Sequence, residues 1–148
     1  MRSSHPASAP QQLFARVPSP ASHGHDKKLQ LTLEASQSGG AVVLHCRGRI
    51  ITRTQACALS NIVADVLPSA GRMVVDMAGV ESVDNVGLGE IVLTQMWAEA
   101  AGYSLKLASL NKSVQHLFEV TNLVSVFDIY ASVPDAMSAM GHEERFSA

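Results

Sequence analysis

Residues 73–89 read Met73-Val74-Val75-Asp76-Met77-Ala78-Gly79-Val80-Glu81-Ser82-Val83-Asp84-Asn85-Val86-Gly87-Leu88-Gly89. Met73-Val74-Val75 is a short apolar run rich in β-branching, which predicts a central strand buried on both faces and ending at Asp76. A helix is expected to begin near Val86 or Gly87. Leu88, Ile91, Val92 and Met96 continue it at spacings of three and four, and Gly102 ends it. Asp84 precedes that helix, where a carboxylate can accept free backbone N–H groups and meets the positive end of the helix dipole.

The same pattern extends in both directions. Upstream, Leu29, Leu31 and Leu33 alternate with polar residues, as in a half-buried strand. Ser38-Gly39-Gly40 supplies a turn, and Ala41-Val42-Val43-Leu44-His45-Cys46 follows as a second strand, so the pair predicts an antiparallel hairpin. Gly48-Arg49-Ile50-Ile51 reads as a link, and Thr52 or Thr54 as a cap. Ala56, Leu59, Ile62, Val63 and Val66 form a helix that Pro68-Ser69-Ala70-Gly71 stops. Downstream, Ser104-Leu105-Lys106-Leu107-Ala108 alternates as a strand. Asn111 caps a helix carrying Val114, Leu117 and Phe118, with Asn122 in the left-handed position beyond it. Val126-Phe127-Asp128-Ile129-Tyr130 is a last strand. Ser132 caps a final helix with Pro134, Ala136, Met137 and Met140.

The expected order is two strands followed by helix–strand alternation, ending on a helix. This predicts an α/β fold: a single domain with a mostly parallel sheet, right-handed crossovers, an antiparallel N-terminal edge hairpin and about four helices.

The whole chain has 148 residues, suited to one domain with a sizeable core. Only 16% of residues are charged and 47% are hydrophobic, and no run of about 20 apolar residues exists to span a membrane. Residues 1–28 differ from the rest. They hold four of the six prolines and five serines, and their charges are Arg2, Arg16, Lys27 and Lys28 against Asp26, a net +3. With −2 overall, residues 29–148 carry −5. The reading is a disordered Pro/Ser-rich tail over 1–28, a domain over 29–141 and a frayed terminus over 142–148. No apolar segment follows Arg2, so no secretory signal is expected. Scarce aromatics and negative charge exclude a general nucleic-acid binder.

Chemistry-bearing constellations are sparse. There is no phosphate loop, nucleophile elbow or His-Glu-x-x-His pair. Gly87-x-Gly89 lacks the third glycine of a dinucleotide loop. His23-Gly24-His25 offers two imidazoles where a metal site needs three or four ligands, so no metal or other cofactor is expected. Asp76 and Asp84 are the best carboxylate candidates for an enzyme, but no nucleophile accompanies them. His45, His116 and Trp97 read as surface or packing residues. Cys46 and Cys57 read as two buried thiols in a reducing compartment.

The stretch 73–89 resembles the STAS domain, the fold of bacterial anti-sigma factor antagonists. The family pattern is an apolar strand ending in Asp, then Gly-Val-x-Phe-Ile-Asp-Ser-Ser-Gly-Leu-Gly leading into a helix. Asp76, Gly79-Val80, Asp84 and Gly87-Leu88-Gly89 match it. Leu105-Lys106-Leu107, Phe127-Asp128-Ile129-Tyr130 and the element order over Leu29 to Met140 fit as well.

The resemblance implies a cytoplasmic, non-catalytic protein–protein module, monomeric or weakly dimeric, that controls transcription. Its implied partner is an anti-sigma factor, often a serine kinase, or a stressosome-type regulator. Its implied contact surface is Asp84, Asn85, Val86, Gly87, Leu88 and Gly89. In the family the kinase phosphorylates the second serine of the loop. Val86 stands at that position and has no hydroxyl, so the phospho-switch is expected to be lost there. Asn85 replaces the first serine, and Ile51 replaces the acid of the family's Gly-x-Leu-Asp segment. Ser82 is the nearest hydroxyl. The competing readings are a STAS subunit of a lipid-transport ABC complex and, behind it, a small α/β enzyme using Asp76 and Asp84.

Overall fold

Strand alternation decides which side chains share a core. In the computed structural model, which describes residues 31–147, Leu31 and Leu33 of β1 (Leu31–Ser38) are fully buried. They face Leu44 and Cys46 of β2 (Ala41–Ile50). Met73, Val75, Met77 and Val80 of β3 (Arg72–Val83) continue the same layer, with Leu105 and Leu107 of β4 (Ser104–Ala108). The expected tail, the His23/His25 pair, Leu29 and Ala148 lie outside the described residues.

The sheet order is β1-β2-β3-β4-β5, with β1 and β2 antiparallel and the remaining pairs parallel. Each parallel connection steps one strand in the same direction, so right-handed crossovers place the connecting helices on one face. Those helices are α1 (Arg53–Ala70), α2 (Asn85–Ala101) and α3 (Lys112–Val120). Their Leu59, Val63, Ile91, Val114 and Phe118 share a core with the strand residues above. After β5 (Ile129–Tyr130), α4 (Val133–Ser147) crosses to the other face, where Ala136 and Met140 cover Ala41, Val74 and Ala108.

The α/β class, the edge hairpin and the four helices agree with expectation. So do the caps: Thr52 accepts from Gln55 N, Asn111 from Val114 N, and Ser132 Oγ from Asp135 N. Gly71 and Gly102 end α1 and α2 in the left-handed region, and Asn122 lies there beyond α3.

Several boundaries differ. The expected link Gly48–Ile50 belongs to β2, because two register irregularities against β3 let the strand bend and continue, with Gly48 at φ +116°. The central strand does not end at Asp76 but runs to Val83. Gly79 permits this, since a Cβ there would lie 2.9 Å from the Cys46 carbonyl oxygen. Pro68 lies inside α1 rather than ending it; the stop is Gly71. The last strand holds only Ile129 and Tyr130: Phe127 turns inward against Phe118, ring centroids 5.2 Å apart, and the ladder to β4 begins where the Asp128 carbonyl accepts from Leu107 N at 2.9 Å. The helix α4 runs from Val133 to Ser147.

Among the described residues, α4 covers the part of the second face that holds Ala41, Val74 and Ala108. Beyond it His45 and Arg47 are exposed. Cys46 is buried, and burial together with the Asp76 charge pushes its thiol pKa well up, so it stays protonated. Cys57 is half-buried rather than buried. Both thiols are free.

Candidate functional site

Parallel pairing brings Ile50, the last residue of β2, beside Val83, the last of β3. The chain then turns over the strand ends into α2. Asp84 has extended backbone and caps the helix: its Oδ1 accepts from Gly87 N at 2.8 Å, and its carbonyl accepts from Leu88 N at 2.8 Å. Its own N–H donates to the Ile50 carbonyl at 3.3 Å. One carboxylate therefore sets the angle at which α2 leaves the sheet.

Gly87 lets that turn close. A Cβ on Gly87 would lie 2.2 Å from the Ile50 carbonyl oxygen. Gly87 and Leu88 are buried, whereas Asn85, Val86 and Gly89 face solvent. The six candidate residues thus divide into a seat (Asp84, Gly87, Leu88) and a display (Asn85, Val86, Gly89). Val86 is 49% exposed in the first turn of α2. It is not buried in packing, so its apolar side chain is presented to a partner or to water.

Replacing the cap should weaken the seat without abolishing it. Asp84→Ala is expected to lower stability by about 1 kcal/mol, while Asp84→Ser stays near wild type. Urea unfolding midpoints measured side by side check this. Equal midpoints for Ala and wild type would remove the cap from the account.

Ile51 follows β2 and donates its N–H to the buried Gln55 side chain at 3.1 Å. Ser82 is half-buried near the end of β3. Neither sits on the displayed turn.

Asp76 and Asp84 do not converge. Asp76 points away from the α1–α2 face, opposite Val75 and Met77, and its Oδ2 lies 2.7 Å from His45 Nδ1. Its Oδ1 accepts from Ala78 N at 3.1 Å. Seven residues of strand lie between the two acids, on the order of 25 Å, far beyond the spacing of cooperating carboxylates. His116 is exposed on α3. Among the described residues no group of three or more His, Cys, Asp or Glu could hold a metal ion. No helix among them is long and apolar enough to cross a membrane.

Two features escaped the sequence reading. Lys106 is almost fully buried in β4, with its ammonium 3.0 Å from Asp128 and over the Tyr130 ring at 5.6 Å. The alternation of β4 by itself predicts a polar, exposed face for it. The second is the solvent face of α2. Four of the six large hydrophobics exposed among the described residues lie on it: Val86, Leu93, Met96 and Trp97. Trp97 is 38% exposed and leans on Tyr103, with ring centroids 5.6 Å apart. The available signal was that α2 is apolar nearly all round, which demands a partner on the outer side as well as the inner.

The fold and site define an α/β domain that presents a helix start and an apolar helix face. The STAS domain family model matches residues 32–136, and the chain belongs to that family. The solved structures agree on the fold. A putative anti-sigma factor antagonist from Thermotoga maritima is similar at TM-score 0.66 and 23% identity, covering 72% of this chain and 92% of that one. An anti-sigma factor antagonist from Mycobacterium paratuberculosis is similar at TM-score 0.66 and 22% identity, covering 74% and 92%. The Bacillus anti-sigma factor antagonist SpoIIAA, in its unphosphorylated form, is similar at TM-score 0.61 and 15% identity, covering 74% and 96%.

Proposed function

We propose that this protein is an anti-sigma factor antagonist of the STAS family, a non-catalytic cytoplasmic module whose contact surface is the start of α2. Its partner is an anti-sigma factor of the serine-kinase type, and it acts in transcriptional control without a phosphoacceptor at that surface. The observation that carries this reading is the exposed Asn85-Val86 pair in the first turn of α2, seated by Asp84 and Gly87. A phosphate at this turn would add nearly two negative charges to a contact shaped for an uncharged side chain. Valine can neither accept that charge nor imitate it. Binding is then set by abundance or by another element of the chain, not by phosphate on this turn.

Affinity capture from native extract, with mass spectrometry, identifies the partner. Its complex with the purified chain is expected to survive ATP. Val86→Asp is expected to weaken binding by about ten-fold or more, as a desolvated charge in an interface does, while leaving the helical circular dichroism unchanged. The double change Asn85→Ser and Val86→Ser is expected to restore phosphorylation by a kinase partner. Phosphate on the wild-type chain that abolishes the complex would overturn the lost switch. Unchanged binding by Val86→Asp would remove this turn from the interface.

A further inference from the structure

The apolar face of α2 extends well past the turn just assigned to a partner. Val86, Leu93 and Trp97 are spaced i, i+7 and i+11, which aligns them along one side, with Met96 beside them. The exposed positions of α2 between Asn85 and Ala101 also include Gly89, Ala100 and Ala101, and only Asn85 and Glu99 are polar. A solvent-facing helix side is ordinarily the polar one. This stripe is long and narrow, the shape that suits a short segment of chain.

We infer that the occupant is the chain's own N-terminal segment, residues 11–17, folded back on α2. Three observations point to it. The first is place. The described chain begins at Leu31, paired with Gly48, which pairs in turn with Val80, close to the Ile50–Val83 end where α2 starts. The thirty preceding residues therefore enter the sheet at the end from which the stripe begins, two strand spacings, roughly 10 Å, from β3. Thirteen residues lie between Val17 and Leu31, a reach of up to about 45 Å, against about 26 Å for the whole of α2.

The second is composition. Before Leu29 the large apolar residues, apart from Met1, are Leu13, Phe14 and Val17. They fall within seven residues, Gln11-Gln12-Leu13-Phe14-Ala15-Arg16-Val17, among a sequence otherwise polar or proline-rich. The third is charge. Residues 1–28 carry a net +3, whereas α1, α2 and the Asp84 cap carry Asp65, Asp84, Glu90 and Glu99 against Arg53, a net −3, and α2 has no Lys or Arg. Opposite signs favour this occupant over a second copy, whose α2 would bring like charge.

Tethering makes weak docking sufficient. A short linker holds the segment at an effective concentration of order millimolar, so millimolar intrinsic affinity keeps the stripe about half covered. Resting on the function proposed above, the segment competes with the anti-sigma factor for α2, and partner affinity falls by the fraction of chains left open. The regulation missing at Val86 is then supplied by the amino terminus.

Trp97 is the sole tryptophan and sits on the stripe, so it reports occupancy without any partner. In the full chain, Leu13→Ser with Phe14→Ser is expected to shift Trp97 emission to longer wavelength. It should also raise acrylamide quenching about two-fold, as when a covered apolar side chain becomes accessible. A peptide of residues 9–19, added at millimolar concentration to that variant, should reverse both changes. Identical emission and quenching in wild type and variant overturn the inference. Protection that grows with protein concentration, alongside dimer sedimentation, also overturns it by assigning the stripe to a second copy. A Trp97 response in a chain that captures no anti-sigma factor refutes the proposed function and leaves the docking intact.

Discussion

Gly87→Ala is expected to lower stability by about 3 kcal/mol or more, enough to leave the domain partly unfolded at ambient temperature. The added methyl would stand 2.2 Å from the Ile50 carbonyl oxygen and 2.9 Å from the Ile50 Cγ2. The first obstacle is backbone in the last residue of β2, so no side-chain rotation relieves it. Either α2 lifts from the sheet or Ile50 leaves its pairing with Val83. Gly89→Ala, two residues along the same helix, is the internal control. Beyond its own stretch of helix nothing described lies within 4 Å of a Cβ there, and Gly in a helix is less favourable than Ala by roughly 0.5–1 kcal/mol, so this change is expected to stabilise. Urea unfolding of both variants reads opposite signs from one substitution type. A tolerated Gly87→Ala would show that α2 does not need its close seat on β2.

Phe118→Ala is expected to cost about 3–5 kcal/mol, the range for truncating a fully buried aromatic. Phe118 is fully buried on α3 and meets the Phe127 ring edge-on at 5.2 Å. Between these two rings the chain forms no ladder; Leu123 N bonds Phe118 O, and Val126 N bonds Leu123 O. Removing the ring frees both α3 and the segment that carries Phe127 to β5. Val120→Ala, on the same helix at 63% exposure, should change stability by no more than about 0.5 kcal/mol. Thermal unfolding of the pair separates a packing effect from a helix-propensity effect, since both substitutions introduce alanine into α3.

Much of the architecture was legible because it depends on local chemistry. Thr52, Asp84, Asn111 and Ser132 cap helices since short polar side chains reach the N–H groups two or three residues on. Gly71 and Gly102 end helices since they take positive φ without strain. The resemblance to the STAS domain was legible in such local signals between Met73 and Gly89, and so was the absence of a hydroxyl at Val86. The lengths of β2, β3 and β5 were not legible. Pairing across a bulge extends the first two, and the third is limited to Ile129 and Tyr130 beyond the inward-turned Phe127. No local pattern encodes either effect.

The sequence by itself determined the α/β class, the order of elements, the caps and the chemical nature of the turn at α2. These follow from side chains acting on their own backbone, or from a periodicity of 2 or 3.6 that any reader of the chain can count. Only the tertiary structure decided which side chains meet and which stay exposed. It separated Asp76 from Asp84 along the length of a strand, because parallel pairing keeps β3 extended to Val83. It divided 84–89 into buried seat and exposed display, because Ile50 comes within contact of Gly87. Among the described residues it left one side of α2 apolar and exposed, because a helix over a sheet can bury only the side that faces inward. Exposure depends on what the rest of the chain covers, and that is set by contacts between residues distant in sequence.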